Sequence, residues 1–263
     1  MLAVEKHVPE NWVRMYIVRW LEIPVQLKSG KQELKQGKGT PQGGVISPLL
    51  ANLYLHYALD KWFELTNPTL KFARYADDAI IHCMSQEQAE HILRLLDARL
   101  KSCGLELHPD KTKIVYCKDY RRKKKYQMVK FDFLGYSFQP RTTPSKKTGK
   151  LFLGYDCAIS ISSRKRIADK LEELKVETLT FKSIVGVAQY QNPMIRGWVN
   201  YYGKFRKTEL MKVFQLLRKR LVCWARKRHK RYKTSVNRAY KWYDRIKKQF
   251  PYLFYHWQVG LFC

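Results

Sequence analysis

The sequence of 263 residues has no closely paired cysteines: its six lie at 83, 103, 117, 157, 223 and 263, no two nearer than 14 residues. That spacing excludes zinc ribbons and CxxC redox sites and fits a reducing compartment. No apolar leader opens the chain, because Glu5, Lys6 and Glu10 interrupt the first dozen residues. One uncharged stretch, 39–59, is long enough for a bilayer, yet it carries Pro41, Gln42, Gly43, Gly44, Pro48, Asn52 and His56. Those residues argue against a membrane span. No internal repeat is visible, and the chain reads as a soluble basic protein.

Acidic residues are scarce in the second half. Residues 1–119 hold 16 Lys and Arg against 14 Asp and Glu, whereas 120–263 hold 35 against 8, which accounts for nearly all of the formal charge of +29. Such an excess strains a compact domain by self-repulsion. Phosphate neutralisation with counterion release would relieve it, so nucleic acid is the expected partner. A solvated basic face and an anionic membrane surface are the alternatives at this point. Aromatics stand among these cations, including Trp198, Tyr201, Tyr202, Phe205, Trp224, Tyr232, Tyr240, Trp242 and Tyr243. They suit core packing and base stacking alike.

Hydrophobic periodicity predicts a helix over 1–22, a hairpin over 25–34 turning at Ser29-Gly30, and a glycine-rich loop to Gly44. A helix then runs to about Leu65, with Ser47 as its cap and Pro48 in its first turn. Short strands at 70–75 and 79–84 flank Ala76-Asp77-Asp78. Ser85 and Gln88 form a capping box before a helix with the apolar face Ala89, Ile92, Leu93, Leu96 and Leu100, closed by Gly104. A strand over 112–116 and a hairpin of 131–138 with 150–156, joined by a loop over 141–149, follow. Beyond Ser160 the pattern is helical, over 163–175, 181–190, 193–205, 208–231 and 235–249, with starts at Asn192-Pro193 and Thr208. Leu210, Phe214, Leu217, Leu221 and Trp224 make a packing seam. The expected architecture is α+β, followed by a basic all-α bundle.

Asp77 and Asp78 are adjacent carboxylates at a hairpin tip, an arrangement that repulsion makes costly without a cation. Two Mg²⁺ ions there could support in-line phosphoryl transfer, since Mg²⁺ sites use one or two carboxylates plus substrate phosphates. An ordinary acidic turn is the alternative.

The surrounding motifs narrow the choice. Tyr75-Ala76-Asp77-Asp78, preceded by Gly39-Thr40-Pro41-Gln42-Gly43-Gly44-Val45-Ile46-Ser47-Pro48-Leu49-Leu50, resembles the palm of reverse transcriptases encoded by group II introns. The resemblance continues through Gly104-Leu105-Glu106-Leu107-His108-Pro109-Asp110-Lys111-Thr112-Lys113 and Phe133-Leu134-Gly135-Tyr136. It extends to Ile195-Arg196-Gly197-Trp198-Val199-Asn200-Tyr201-Tyr202-Gly203, which looks like the maturase region, or domain X, of those proteins. That last segment argues against retron, retroviral and telomerase-type enzymes.

The resemblance implies an incomplete right-hand palm with antiparallel strands over 1–159, including the primer-grip hairpin, and a helical thumb or maturase domain over 160–263. It implies Asp77 and Asp78 as Mg²⁺ ligands, the first more directly than the second. Pro41, Gln42, Gly43, Gly44 and Lys111 would lie near template and nucleotide, and Leu134 and Gly135 at the primer grip. Arg196, Lys204, Arg206 and Lys207 would form an exposed RNA-facing set, joined by Arg226, Arg228 and Arg231. The implied partners are intron RNA, a DNA target and primer, and deoxynucleoside triphosphates, in a cytoplasmic ribonucleoprotein without membrane.

The family's third palm carboxylate has no counterpart, for no Asp precedes Asp60. The opening residues Met1-Leu2-Ala3-Val4-Glu5-Lys6-His7 resemble the helix just after that strand. The chain is therefore expected to be an N-terminally truncated form without fingers, and a poor polymerase alone. Without cysteine pairs of an HNH module, DNA cleavage is not expected. An RNA-directed DNA polymerase, a non-catalytic splicing cofactor and a nonfunctional remnant are the three functions that follow; a generic basic single-strand binder is an unrelated fourth.

Overall fold

A computed structural model describes residues 1–26, 29–30, 32–33, 39, 43–145, 147–176 and 183–261. The chain divides into two units, Met1–Ile114 and Val115–Cys263. Among the described residues, the strands form small antiparallel sheets between helices, so the fold is mixed α and β.

In the first unit, the helix expected over 1–22 is two, α1 (Leu2–His7) and α2 (Asn11–Glu22). Pro9 explains the break, because it holds the preceding Val8 in extended backbone at φ −119° and ψ 100°. Trp12, Met15 and Trp20 of α2, apolar residues of the periodicity that predicts this helix, are exposed. Strands β1 (Val25–Gln26) and β2 (Gln32–Glu33) make the expected hairpin, part of which lies outside the described residues.

Helix α3 (Ser47–Leu55) starts at the expected cap itself, with Ile46 as N-cap and Ser47 already helical. It continues through a π-helical turn, His56–Asp60, into α4 (Lys61–Thr66). Arg99 of α5 (Gln86–Ser102) donates to the π-turn carbonyls of Ala58 (3.0 Å) and Tyr57 (3.3 Å). The predicted cap of α5 is present: Ser85 Oγ accepts from the Gln88 N–H at 3.2 Å. The Gln88 side chain accepts from the Met84 N–H at 2.7 Å. Gly104, at φ +68°, closes α5 in a Schellman pattern, with Leu105 N–H to Leu100 O at 2.9 Å and Gly104 N–H to Lys101 O at 3.0 Å. The core of this unit is small: Leu59, Phe63, Ile92 and Leu96, capped by Phe72 of β3 (Phe72–Tyr75) and Ile81 of β4 (Asp78–Ile81).

The strand expected over 112–116, where the first unit gives way to the second, is absent, although in the second unit Tyr116 N–H reaches Met128 O at 2.9 Å. Segment 131–138 is not one arm of a hairpin but a hairpin itself. Strands β5 (Phe131–Phe133) and β6 (Tyr136–Pro144) join through a two-residue turn at Leu134-Gly135, with Phe133 opposite Tyr136. Both turn residues have positive φ, +48° and +78°, the backbone a two-residue hairpin with right-handed strand twist prefers. Strand β7 (Leu151–Ile159) pairs along the whole of β6, so the connecting loop is shorter than expected.

Ser160 caps α6 (Ile161–Glu173), and Ser183 caps α7 (Ile184–Tyr202). Helix α7 runs through Pro193, where two helices were expected. Proline there removes one ladder bond and costs about 3 kcal/mol. Offsetting contacts come from buried Ile195 and from Asn192, which donates to Leu253 O at 2.9 Å and accepts from Tyr255 N–H at 3.0 Å. Helix α8 (Lys207–Arg228) carries the predicted seam, every member of which is 1% exposed or less. It ends before α9 (Lys230–Lys233); α10 (Val236–Gln249) and α11 (Tyr255–Gln258) complete the unit. His256 of α11 stacks on Phe214 at 4.6 Å, and burial pushes its pKa down to about 3, so it packs as a neutral ring.

A Cβ at Gly135 would lie 2.8 Å from Ser163 Oγ and 3.0 Å from Tyr202 Oη, on top of the positive φ. At Gly149, φ is +67° and nothing lies within 4 Å. Gly135→Ala is expected to destabilise by about 1–3 kcal/mol, and Gly149→Ala by about 1 kcal/mol from backbone alone. Urea unfolding of the two variants gives the comparison, and equal losses would remove the packing contribution.

Candidate functional site

The carboxylates sit on the β3–β4 hairpin. Tyr75 pairs with Asp78, which leaves Ala76-Asp77 as the tip and makes Asp78 the first residue of β4. Ala76 has φ +52°, an uncommon backbone for a residue with a Cβ. Arg74, on β3, holds it in place. One terminal nitrogen donates to Ala76 O at 2.7 Å and to Asn52 Oδ1 at 3.0 Å. The rest of the fork grips Asp60 through two 2.6 Å bonds. Burial acts to raise the Asp60 pKa, but the hydrogen bonds and charge of Arg74 prevail and hold it below the ordinary carboxylate value. The same pair pushes the Arg74 pKa up.

Arg74 is thus committed to Asp60 and neutralises neither tip carboxylate. Asp77 and Asp78 are both exposed and have no hydrogen-bond or ion-pair partner among the described residues. Two acceptor-only groups, side by side and unpaired, fit a hard divalent cation that completes its shell with water and substrate phosphates. No group of three or more His, Cys, Asp or Glu able to hold a metal occurs among the described residues. The hairpin therefore offers carboxylates from these two positions.

Other predicted residues of the first unit are scattered along its chain. Pro41 and Gln42 lie outside the described residues. Gly43 is exposed at φ +89°, with open space where a side chain would be, and Gly44 O accepts from Ser47 N–H at 3.1 Å at the start of α3. Lys111 is exposed in a turn closed by Thr112 N–H to His108 O at 3.0 Å.

In the second unit the Leu134-Gly135 turn is fastened to the helices. Tyr201 Oη donates to Leu134 O at 2.8 Å, Ser160 N–H to Gly135 O at 2.9 Å, and Tyr136 Oη to Tyr201 O. Burial pushes the Tyr136 pKa up to about 12, which keeps that hydroxyl a donor. Arg196, Lys204, Lys207, Arg228 and Arg231 are exposed. Arg206, expected to be exposed, is half-buried: its guanidinium pairs with Asp156 at 2.6 Å and reaches Thr142 O at 3.1 Å from an αL backbone at the start of α8. Arg226 is half-buried too and donates to Lys233 O at 3.2 Å. Of the aromatics named among the cations, Tyr201 and Phe205 are exposed, whereas Trp224, Tyr232, Trp242 and Tyr243 are core.

Sequence reasoning missed Arg74, Asp60 and Asn52, which brace the tip. Their separations of 14 and 22 residues follow no helical or strand period, although a lone Arg two residues before an acidic tip was a visible signal.

A family model for reverse transcriptases (RNA-dependent DNA polymerases) matches residues 3–138, and this chain belongs to that family. A second model, for the group II intron maturase-specific domain, matches residues 164–243; the two together define an intron-encoded reverse transcriptase/maturase. The chain is also similar to an uncharacterized 91 kDa protein in a cob intron of Schizosaccharomyces pombe. Identity is 26% over 233 aligned positions, covering 62% of this chain and 28% of the length of that relative.

Arg74→Gln leaves the Asp60 carboxylate and the Ala76 carbonyl underpaired, at an expected cost of about 1–3 kcal/mol. Amides of β3 and β4 should exchange with solvent roughly 10- to 100-fold faster at neutral pH. Because the folded Asp60 pKa is depressed, the pairing stabilises above the unfolded value and its contribution fades as pH falls below about 4. The gap between wild type and variant should narrow there. A gap that is absent at neutral pH, or constant with pH, contradicts the brace.

Proposed function

We propose that this chain binds group II intron RNA as a splicing cofactor through its basic helical part. We also propose that its first part carries the Asp77–Asp78 portion of a two-metal nucleotidyl-transfer site. The observation that carries the RNA reading is the charge of residues 120–263, 35 Lys and Arg against 8 Asp and Glu, because phosphate is the partner that relieves it. The functional division is a palm over 1–159 and a thumb or maturase domain over 160–263. Intron RNA is the first partner; a DNA target with its primer and deoxynucleoside triphosphates serve the polymerase site. The setting is a cytoplasmic ribonucleoprotein, and no helix among the described residues is long and apolar enough to cross a membrane.

When bound, Mg²⁺ would activate the primer hydroxyl and neutralise the leaving pyrophosphate. Asp77 and Asp78 would hold it, on a tip whose direction Arg74 fixes. Pro41, Gln42, Gly43 and Gly44 would lie near template and nucleotide, where the two glycines permit close backbone approach, Lys111 would offer charge to the triphosphate, and Leu134-Gly135 would support the primer end. No Asp precedes Asp60 in these 263 residues, and the earlier acids Glu5, Glu10, Glu22 and Glu33 stand in no context that matches the family's third carboxylate. Loss of one such electrostatic group costs about 10²–10³-fold in rate. These 263 residues by themselves are thus expected to extend a primer poorly while retaining RNA binding.

Primer extension on an RNA template with Mg²⁺, run beside Asp77→Ala, tests both parts. Neither protein should extend above a metal-free control, and both should bind RNA equally. Extension that Asp77→Ala abolishes would overturn the polymerase deficiency; extension that survives it would overturn the metal assignment.

A further inference from the structure

Helix α10 divides its residues sharply. Ala239, Trp242 and Tyr243 are buried in the helical core, with Ile246 packed against it. Between residues 238 and 248 the exposed positions are Arg238, Lys241, Arg245 and Lys248, with no other. Steps of three and four keep them on one face, a row about 15 Å long at 1.5 Å per residue.

Two surface concavities lie along this row. One, of about 610 Å³, is lined by Lys241, Asp244, Arg245, Lys248 and Gln249. The other, of about 310 Å³, is lined by Arg231, Tyr232, Arg238, Lys241, Trp242 and Arg245. The acid among these residues is already engaged: Asp244 accepts from Arg218 of α8 at 3.0 and 3.1 Å and lies 4.0 Å from Lys247. None of Arg231, Arg238, Lys241, Arg245 and Lys248 has a carboxylate partner among the described residues. Two of them are oriented by Tyr232: the Arg231 guanidinium lies 5.2 Å from its ring centroid in a cation–π contact, and its hydroxyl accepts from Arg245 at 3.4 Å.

From this we infer that the α10 row, with Arg231 at one end, is a track for the phosphate backbone of double-helical RNA. It rests on the RNA-binding reading above and gives that reading a surface. An unneutralised row on a helix anchored by its own apolar face holds fixed positive charge without the entropy loss of ordering a loop. No exposed aromatic stands between Arg238 and Lys248 to stack a base, so recognition is of backbone and shape, as for RNA duplexes. A membrane-surface helix would present its apolar side outward, whereas that of α10 is spent on the core.

The test uses the full chain, an RNA stem-loop of arbitrary stem sequence, and anionic vesicles containing phosphatidylserine. Replacing the row by R238Q, K241Q, R245Q and K248Q together should make log affinity against log salt shallower by about 3–4, as each lost phosphate contact removes about 0.9. Between about 0.05 and 0.2 M salt that is roughly a 10²-fold smaller loss of binding. The charge-preserving set R238K, K241R, R245K and K248R should keep the wild-type slope, which guards against a folding defect in the first set. An unchanged slope in the Gln set, with wild type binding RNA, overturns the track and leaves the RNA-binding reading standing. Wild type that does not bind RNA overturns the reading itself. Vesicle binding lost in the Gln set while its RNA slope stays unchanged would make the row a membrane face and overturn the proposal.

Discussion

The buried seam of α8 is the constraint from which the second unit follows. Leu210, Phe214, Leu217, Leu221 and Trp224 are withdrawn from water almost completely, and α10, α11 and the N-cap of α11 place Trp242, Tyr243, Trp257 and Phe254 in the same core. Burial of this much apolar surface stabilises by about 1.5–3 kcal/mol per large side chain, against the repulsion of many like charges. It also dictates where those charges go. With the inner faces occupied by aromatic and aliphatic groups, Lys and Arg must line the outer faces, where few acids meet them. A core built this tightly can carry a surface that would be costly on a looser one.

The first unit meets a similar conflict on a smaller scale. Its core is a handful of side chains, yet it presents two adjacent carboxylates at the end of a short hairpin. One arginine resolves part of the difficulty: Arg74 takes its counter-charge from Asp60 and uses a remaining donor on the carbonyl of Ala76. The tip is braced without its acids being neutralised. Had Arg74 paired with Asp77 or Asp78, the hairpin would be calmer and the carboxylates less available to a cation.

Much of this was legible where chemistry is local or periodic. The seam of α8, the cap and Schellman close of α5, and the acidic hairpin all follow from residues within a few positions of one another. What was not legible depends on partners far along the chain. Helix α7 passes through Pro193 because Asn192 is tied to Leu253 and Tyr255, 61 and 63 residues away. The Leu134-Gly135 turn looked like strand because leucine rarely takes positive φ, and Tyr201, 67 residues on, helps hold it there. Arg206 looked like a surface cation until Asp156 and Thr142 were seen to engage it. For the candidate site, the acids were readable and their brace was not; the excess of cations was readable, and their alignment on α10 needed the buried face to be known.

The proposed recognition is of intron RNA by the basic helical part, rather than of polyanions at large. Its most direct test is competition: a labelled group II intron RNA bound to the full chain, displaced by the same RNA unlabelled or by an unrelated folded RNA of equal length. The intron RNA should compete better by about tenfold or more, or about 1.4 kcal/mol. Equal displacement by the two competitors would contradict it.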